Sequence, residues 1–215
     1  MEPQKILYEG KNFYIQREGN QIVAITRVSA TEYSRLDIKT NKVVHWYARK
    51  ICDRIYYYFR NKEAPLNICC LGSAMGAIPF ELLIQYPNAT VTCVDIDSES
   101  LYILEHSILK SFGQRVILEE MDARHFADEL ETNEFDIIIN DLFSEQKSPP
   151  FIHSNSFLRN IFRGLKPKGL YFANTITNTF EFTHGTAIEK IGYDVLRFLK
   201  RPQGIANIVY EAVKD

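Results

Sequence analysis

The sequence predicts an α/β protein: a Rossmann-like, doubly wound, mostly parallel sheet of about seven strands with a C-terminal antiparallel pair, preceded by a small N-terminal antiparallel β element. Three observations carry this. Near-continuous apolar runs such as NICCLG, VTCVDID and FDIIIND alternate with helical segments, and strands that apolar are covered on both faces, as in a parallel sheet. Right-handed crossovers then wind such a sheet outward from its centre. Ahead of residue 41 the pattern differs, with short β-branched and aromatic runs set apart by turn residues. At 215 residues the length suits one domain with a small appendage, taken here as a β-hairpin or meander over 1–40 and an α/β domain over 41–215.

The elements follow in order. KILYEG, NFYIQRE, QIVAITRV and EYSRLDI, separated by Gly10, Gly19-Asn20 and Ser29-Ala30-Thr31, read as three or four antiparallel strands. Val44, Tyr47, Ala48, Ile51, Ile55 and Tyr58 recur at threes and fours and predict one face of a helix, broken by Lys62-Glu63-Ala64-Pro65. LNICCLG is a strand, followed by a glycine turn and the helix IPFELLIQY. VTCVDID is the next strand, then a helix whose Leu101, Leu104, Ile108 and Phe112 form a stripe, with Ser98 as its N-cap. RVILEE, FDIIIND and LYFANTI are further strands, the last two joined by the helix SNSFLRNIFRGL, which Lys166-Pro167-Lys168-Gly169 ends. YDVLRFLKR and NIVYEAV, around a Pro202-Gln203-Gly204 turn, form the closing antiparallel pair.

Composition narrows the partners. Apolar residues are 46% and charged residues 24%, ordinary for a globular chain. Lys plus Arg total 25 against 27 for Asp plus Glu, so there is no basic excess and no nucleic-acid partner is expected. No run is long enough to span a bilayer and the first twenty residues lack an apolar signal core, so neither membrane nor export is expected. Cys52, Cys69, Cys70 and Cys93 have no framework spacing and fit a reduced cytoplasm. His45, His106, His125, His153 and His184 are far apart in the chain, without HxxxH or HExxH spacing, so no metal is expected. No Gly-rich loop leads into Lys-Ser/Thr, which removes P-loop phosphoryl transfer.

Ligands of such sheets sit outside the carboxyl ends of the strands, which directs attention to four loops. Gly72-Ser73-Ala74-Met75-Gly76 follows a strand and precedes a helix, and its small residues let backbone approach a ligand. It equally serves as a tight turn. Asp95 ends the next strand 23 positions after Gly72, where a carboxylate can accept both hydroxyls of a ribose. Asp97 reads better as a helix cap. Met121-Asp122-Ala123 follows the third strand, where a carboxylate could accept from an exocyclic adenine amine. Asn140-Asp141 follows the fourth, pointing into the same crevice. Each alone could be a cap or turn residue; together they make an ordered series at four successive strand ends.

These residues resemble the class I S-adenosylmethionine-binding fold and, within it, the spermidine synthase (polyamine aminopropyltransferase) family. The resemblance runs from about Tyr33 onward and rests on ICCLGSAMGAIPFELL, VTCVDID, MDARHF, FDIIINDLFS and FLRNIFRGLKPKGLYFANTI in that order. It implies a cofactor, S-adenosylmethionine or its decarboxylated form. Gly72, Ser73, Ala74 and Gly76 would lie under its methionine part, Asp95 at the ribose, and Asp122 and Ala123 beside the adenine, with Ile96 a further cofactor-binding residue. It implies Asp141 as catalytic proton acceptor from a small-molecule amine, and a possible homodimer. Two departures matter. Met75 stands where the family carries an acid, and Asp141-Leu142-Phe143-Ser144-Glu145 replaces Asp-Ser-x-Asp-Pro.

Three functions therefore remain open at the level of sequence. One is an aminopropyl-type transferase. Another is a small-molecule methyltransferase on the same fold. The third is a non-catalytic binding or scaffold protein that has lost the amine site. Asn140-Asp141-Leu142-Phe143 lacks the prolines of nucleic-acid amino-methyltransferases, and Ala74 with no separate substrate domain argues against an NAD-dependent dehydrogenase. His153, after Pro149-Pro150, is either a substrate contact from a loop over the crevice or simply solvated.

Overall fold

The computed structural model of the chain describes residues 5–27, 30, 32–143, 147–177, 183–200 and 206–215. Ser29, Thr31, Ser144, Glu145 and the predicted Pro202-Gln203-Gly204 turn lie outside the described residues.

The N-terminal segment forms a five-stranded antiparallel sheet in simple order, β1 (Lys5–Glu9), β2 (Phe13–Glu18), β3 (Gln21–Thr26), β4 (Glu32–Asp37) and β5 (Lys42–Val43). Phe13 and Ile15 on β2 and Leu36 on β4 turn to one face and are buried, the alternation a half-covered sheet requires. The two-residue strand β5 was not read from sequence. It pairs Val43 with Leu36, and the Val44 amide still bonds the Arg35 carbonyl. This extended pairing corrects the predicted helical face at its start: helix α1 spans Trp46–Tyr58, so Val44 precedes it and is exposed, and Tyr58 at the far end is also largely exposed. Ala48, Ile51, Cys52 and Ile55 are its buried stripe.

The second sheet contains β6 (Asn67–Leu71), β7 (Thr90–Asp95), β8 (Val116–Glu120), β9 (Phe135–Asn140), β10 (Leu165–Thr177), β11 (Val195–Lys200) and β12 (Ala206–Val213), in the order β11-β12-β10-β9-β6-β7-β8. The five strands from β10 to β8 run parallel, while β12 is antiparallel to both β10 and β11. This is the doubly wound sheet with a C-terminal antiparallel pair that the sequence predicts. Winding reverses between β6 and β9, which places a crevice at their carboxyl ends.

Helices α2 (Ala77–Gln85), α3 (Ser98–Ile103), α4 (Ala123–Glu129), α5 (Asn155–Gly164) and α6 (Thr183–Lys190) complete the layers. Three features differ from the sequence reading. The N-cap of α3 is Asp97, whose carboxylate accepts from the Glu99 amide; this agrees with the capping role read for Asp97 and corrects the one read for Ser98. The segment after Ile103 is not one continuous helix. It widens into a π turn over Leu104–Ile108, then tightens into a 3-10 turn over Lys110–Arg115 with Gly113 at φ 56°. Leu101 and Leu104 are nevertheless buried, and Ile108 and Phe112 pack on the core, so the predicted stripe survives the change of pitch. Helices α4 and α6, of seven and eight residues, are too short to display a period and were missed.

The two sheets are tied together by one buried carboxylate. Glu81 of α2, 1% exposed, accepts from Arg49 (2.5 and 2.9 Å), Lys42 (3.1 Å), the Val43 amide (2.6 Å) and the Tyr56 hydroxyl. Burial alone would raise its pKa, but the hydrogen bonds from Arg49, Tyr56 and Val43 outweigh it and hold the carboxyl below its ordinary value. Strand β5, α1 and α2 are thereby locked as a unit, and the N-terminal sheet is fixed beside the mouth of the crevice.

Candidate active site

The turn after β6 forms the floor. Gly72 has φ +77°, and a Cβ there would lie 2.7 Å from the Asp141 carbonyl oxygen. Only glycine permits that approach of two strand ends. The Asp141 amide in turn bonds the Leu71 carbonyl at 2.9 Å. Gly76 (φ +79°) caps α2, and Ala74 sits at φ 46°, an unusual conformation for a residue with a Cβ. Met75 is fully buried in the core.

Asp95, at the end of β7, holds this turn in shape. Its Oδ2 accepts from the Ser73 amide (3.0 Å) and the Ala74 amide (3.4 Å), and its Oδ1 accepts from the Asp97 amide (3.1 Å). Burial raises its pKa, and those three amides partly offset the effect. A carboxylate has about four acceptor sites, so room for a further donor remains. Ile96 beside it is 72% exposed, a large apolar side chain at the crevice edge.

Asp122 lies further out. It caps α4 through the Arg124 amide (2.8 Å) and pairs with the Arg124 guanidinium (2.6 Å), and this partner holds its pKa down. The segment joins Asp95 only through the backbone, by the Met121 amide to the Asp95 carbonyl at 3.1 Å. Ala123 is buried at the start of α4. Gly72, Ser73, Ala74, Asp95 and Asp141 are therefore brought into direct contact. Asp122 and Ala123 stand one loop away.

The wall facing the glycine turn comes from the N-terminal sheet and α1. Tyr33, His45 and Tyr47 line a pocket with Ser73, Ala74 and Asp141. Asp141 is the chemically distinctive member. Desolvation pushes its carboxyl up to about 7, against the opposing pull of hydrogen bonds from Asn174 and the Tyr47 hydroxyl. The Asn174 Nδ2 donates to Oδ1 at 2.8 Å. The phenols of Tyr33 and Tyr47 are raised by burial and by the nearby carboxylates, so both stay neutral donors.

Tyr33, Tyr47 and Asn174 were not assigned to the site from sequence. Tyr47 falls in an apolar helical stripe and Asn174 within a strand, so neither position distinguishes a site residue from a packing one. His153, considered as a substrate contact, directs its Nδ1 to His184 Nδ1 at 3.1 Å. Sequence separation concealed that pairing. Among the described residues, no group of three or more His, Cys, Asp or Glu is arranged to hold a metal ion.

A methyltransferase-domain family model matches residues 62–196. The chain belongs to that family. The polyamine aminopropyltransferase of Vibrio vulnificus (strain CMCP6) is 23% identical over 185 residues, 85% of this chain and 60% of its own length; the chain thus spans 60% of that curated relative. Among solved structures, a probable spermidine synthase from Corynebacterium glutamicum ATCC 13032 superposes with TM-score 0.79 at 20% identity, covering 96% of this chain and 78% of the other. A spermidine synthase in complex with the transition state analogue AdoDATO gives TM-score 0.67 at 13% identity, over 98% of this chain and 73% of that one. At these identities the likeness is one of fold, and it covers nearly the whole of this methyltransferase-domain chain. Its described residues include no helix long and apolar enough to cross a membrane.

Proposed function

We propose that the chain is a transferase that binds S-adenosylmethionine or its decarboxylated form in the crevice and alkylates a small amine, with Asp141 as the proton acceptor. The observation that carries this is the Asp141 carboxyl itself. It is desolvated, raised to about 7, and set in a pocket between the glycine turn and the Tyr33–Tyr47 wall. An amine must lose a proton to attack carbon, and a base is most effective with a pKa near the working pH. Tyr47 and Asn174 donate to the carboxylate and fix its orientation, leaving an oxygen edge for the incoming N–H.

The crevice residues fit the adenosyl group. Ser73 and Ala74 offer a small-residue surface, Asp95 has acceptor capacity for a ribose hydroxyl, Ile96 offers an exposed apolar face, and Asp122 with Ala123 begins the helix beyond. When bound, the sulfonium supplies an activated carbon whose leaving group departs neutral. The chain's own contribution is then alignment of the amine and removal of its proton.

A second reading, methyl transfer from intact S-adenosylmethionine, is supported by Met75. It is buried in the core and stands where the resemblance places the carboxylate that an aminopropyl ammonium would seek. Titration calorimetry with S-adenosylmethionine, decarboxylated S-adenosylmethionine and methylthioadenosine separates the readings. Preference for the decarboxylated form or methylthioadenosine supports aminopropyl transfer, and preference for the intact form supports methyl transfer. Binding of none overturns the transferase reading and leaves a scaffold that kept the fold. Asp141→Asn should retain binding and lose turnover; retained turnover would make Asp141 structural.

A further inference from the structure

Beneath the Asp141 turn, on the α5–α6 side of the sheet, runs a chain of polar side chains that the proposed chemistry does not use. The Leu142 amide donates to Asn140 Oδ1 (3.2 Å), Asn140 Nδ2 donates to the Tyr171 hydroxyl (2.9 Å), that hydroxyl lies 3.1 Å from His184 Nε2, and His184 Nδ1 lies 3.1 Å from His153 Nδ1. Asn140, Tyr171 and His184 are buried, while His153 is only partly so.

One set of directions leaves every buried donor in the chain with an acceptor, and it starts from the first bond. An amide N–H can only donate, so Asn140 must face Leu142 with its oxygen and Tyr171 with its NH2. The Tyr171 oxygen therefore accepts, and its own proton goes to His184 Nε2. That makes His184 the neutral Nδ1–H tautomer, which donates to His153 Nδ1 and leaves His153 protonated on Nε2. Burial supports these neutral states: it lowers the pKa of His184 to about 3 and lowers that of His153.

We infer that Asn140, Tyr171, His184 and His153 form a one-way hydrogen-bond relay through which the protonation state of His153 is read at the Leu142 amide, making His153 a positioning residue for the turn that carries Asp141. A proton added at His153 Nδ1 places a donor against the His184 donor. Relief requires His184 to move its proton to Nε2, so that Tyr171 accepts twice and its hydroxyl proton loses its acceptor. The alternative is an Asn140 flip that sets NH2 against the Leu142 N–H. A buried donor without a partner is costly in either arrangement. The flip carries the mismatch to the Leu142 amide, beside Asp141; the tautomer shift leaves it at the Tyr171 hydroxyl, which bears on that amide through Asn140.

Groups packed around the relay do not supply a competing charge. Helix α6 presents His184 to His153, and β10 and β12 present Tyr171 and Tyr210 to His184. Within the turn of His153, Phe151 packs on Phe157 of α5 and carries the Arg124 guanidinium, itself paired with Asp122. On α5, Arg163 reaches the Ala127 and Asp128 carbonyls and Arg159 is exposed at the surface. Arg197 of β11 pairs with Glu189 of α6.

The relay itself is tested without turnover, by imidazole 15N and backbone amide NMR of the unliganded chain across pH 4.5–8. The wild type should show His184 as the Nδ1–H tautomer and His153 as Nε2–H, with the Leu142 amide shift following the His153 midpoint. In His153→Gln that component of the Leu142 titration should vanish while any component from Asp141 persists. In Tyr171→Phe, if it folds, His153 should titrate without a response at Leu142. An Nε2–H tautomer at His184, or a Leu142 amide in His153→Gln that titrates as in the wild type, overturns the relay. The functional consequence rests on the Asp141 reading. Retained turnover in Asp141→Asn with an intact NMR coupling overturns the Asp141 reading alone, and lost turnover with no coupling between His153 and Leu142 overturns the relay alone.

Discussion

Asn174 Nδ2 donates a 2.8 Å hydrogen bond to Asp141 Oδ1, so strand β10 orients the carboxylate that directly follows β9. Asn174 Oδ1 accepts in turn from Asn207 Nδ2 at 3.4 Å on β12. The antiparallel pair at the end of the chain thus bears on the proposed site, although it lies two strands from the glycine turn.

Removing that donor should move the acid. The Asn174 bond favours the ionised form of Asp141 and opposes desolvation. In Asn174→Ala the midpoint should rise above about 7, by roughly one unit for the loss of a charge-assisted bond of about 1.5 kcal/mol. Carboxyl 13C NMR of Asp141 reads this directly, and an unchanged midpoint would show that Tyr47 alone orients the group. If turnover is found, its rising pH limb should shift in parallel.

Asp141 should also cost stability at alkaline pH. Its folded pKa lies above the ordinary carboxylate value, so the native state binds the proton more tightly than the unfolded chain. The associated stability is complete below pH about 4 and is lost as pH rises through about 7. Asp141→Asn should therefore be more stable than wild type at pH 8, by roughly 2–4 kcal/mol, with the advantage shrinking toward pH 4. Urea unfolding of both proteins at pH 4.5, 6 and 8 checks the sign. Equal denaturation midpoints at every pH would mean that the carboxyl is hydrated.

The parallel strands, the closing antiparallel pair and the ordering of Gly72, Asp95 and Asp141 were legible because each rests on a local pattern: apolar runs of strand length and small or acidic residues at their ends. The wall of the site was not legible. Tyr33 and Tyr47 face Asp141 across a junction in which Glu81 gathers Lys42, Val43, Arg49 and Tyr56 from other elements, and no periodicity reports such a long-range junction. His153 and His184 look unrelated for a similar reason, since the missed helix α6 is what brings them together. Asp97 shows the opposite case: a residue near a candidate site whose capping role was readable from its place before a helix.

Asp95 has a double role that sharpens its mutational test. Its carboxylate accepts the Ser73, Ala74 and Asp97 amides, so Asp95→Ala removes a ribose acceptor and also frees the turn under it. Affinity for an adenosyl ligand should fall by at least the 1.5–3 kcal/mol of one charged hydrogen bond. The Ser73 and Ala74 amides should also lose hydrogen-exchange protection without ligand. Calorimetry and exchange together separate the effects. Lost protection with unchanged affinity would reduce Asp95 to a support of the loop.

Glu81 is the position where one substitution should detach the wall of the site from its floor. Its carboxylate is buried with Arg49 and Lys42 as ion partners, and breaking a buried pair by removing one partner typically costs about 3–5 kcal/mol. Glu81→Ala should approach that loss, and Glu81→Gln, which keeps one acceptor oxygen, should lose less. The pH dependence follows from its lowered pKa: stability from Glu81 is complete above the ordinary carboxylate range and is lost as pH falls through the depressed folded value. Because β5 and α1 carry Val43 and Tyr47, the substitution should also perturb Asp141, dropping the support that the Tyr47 hydroxyl gives its ionised form. Urea unfolding gives the first result and the Asp141 carboxyl titration the second. A destabilised Glu81→Gln with an unshifted Asp141 midpoint would show that Tyr47 is held in place by the α1 core residues Ala48, Ile51 and Ile55 without help from the ion cluster.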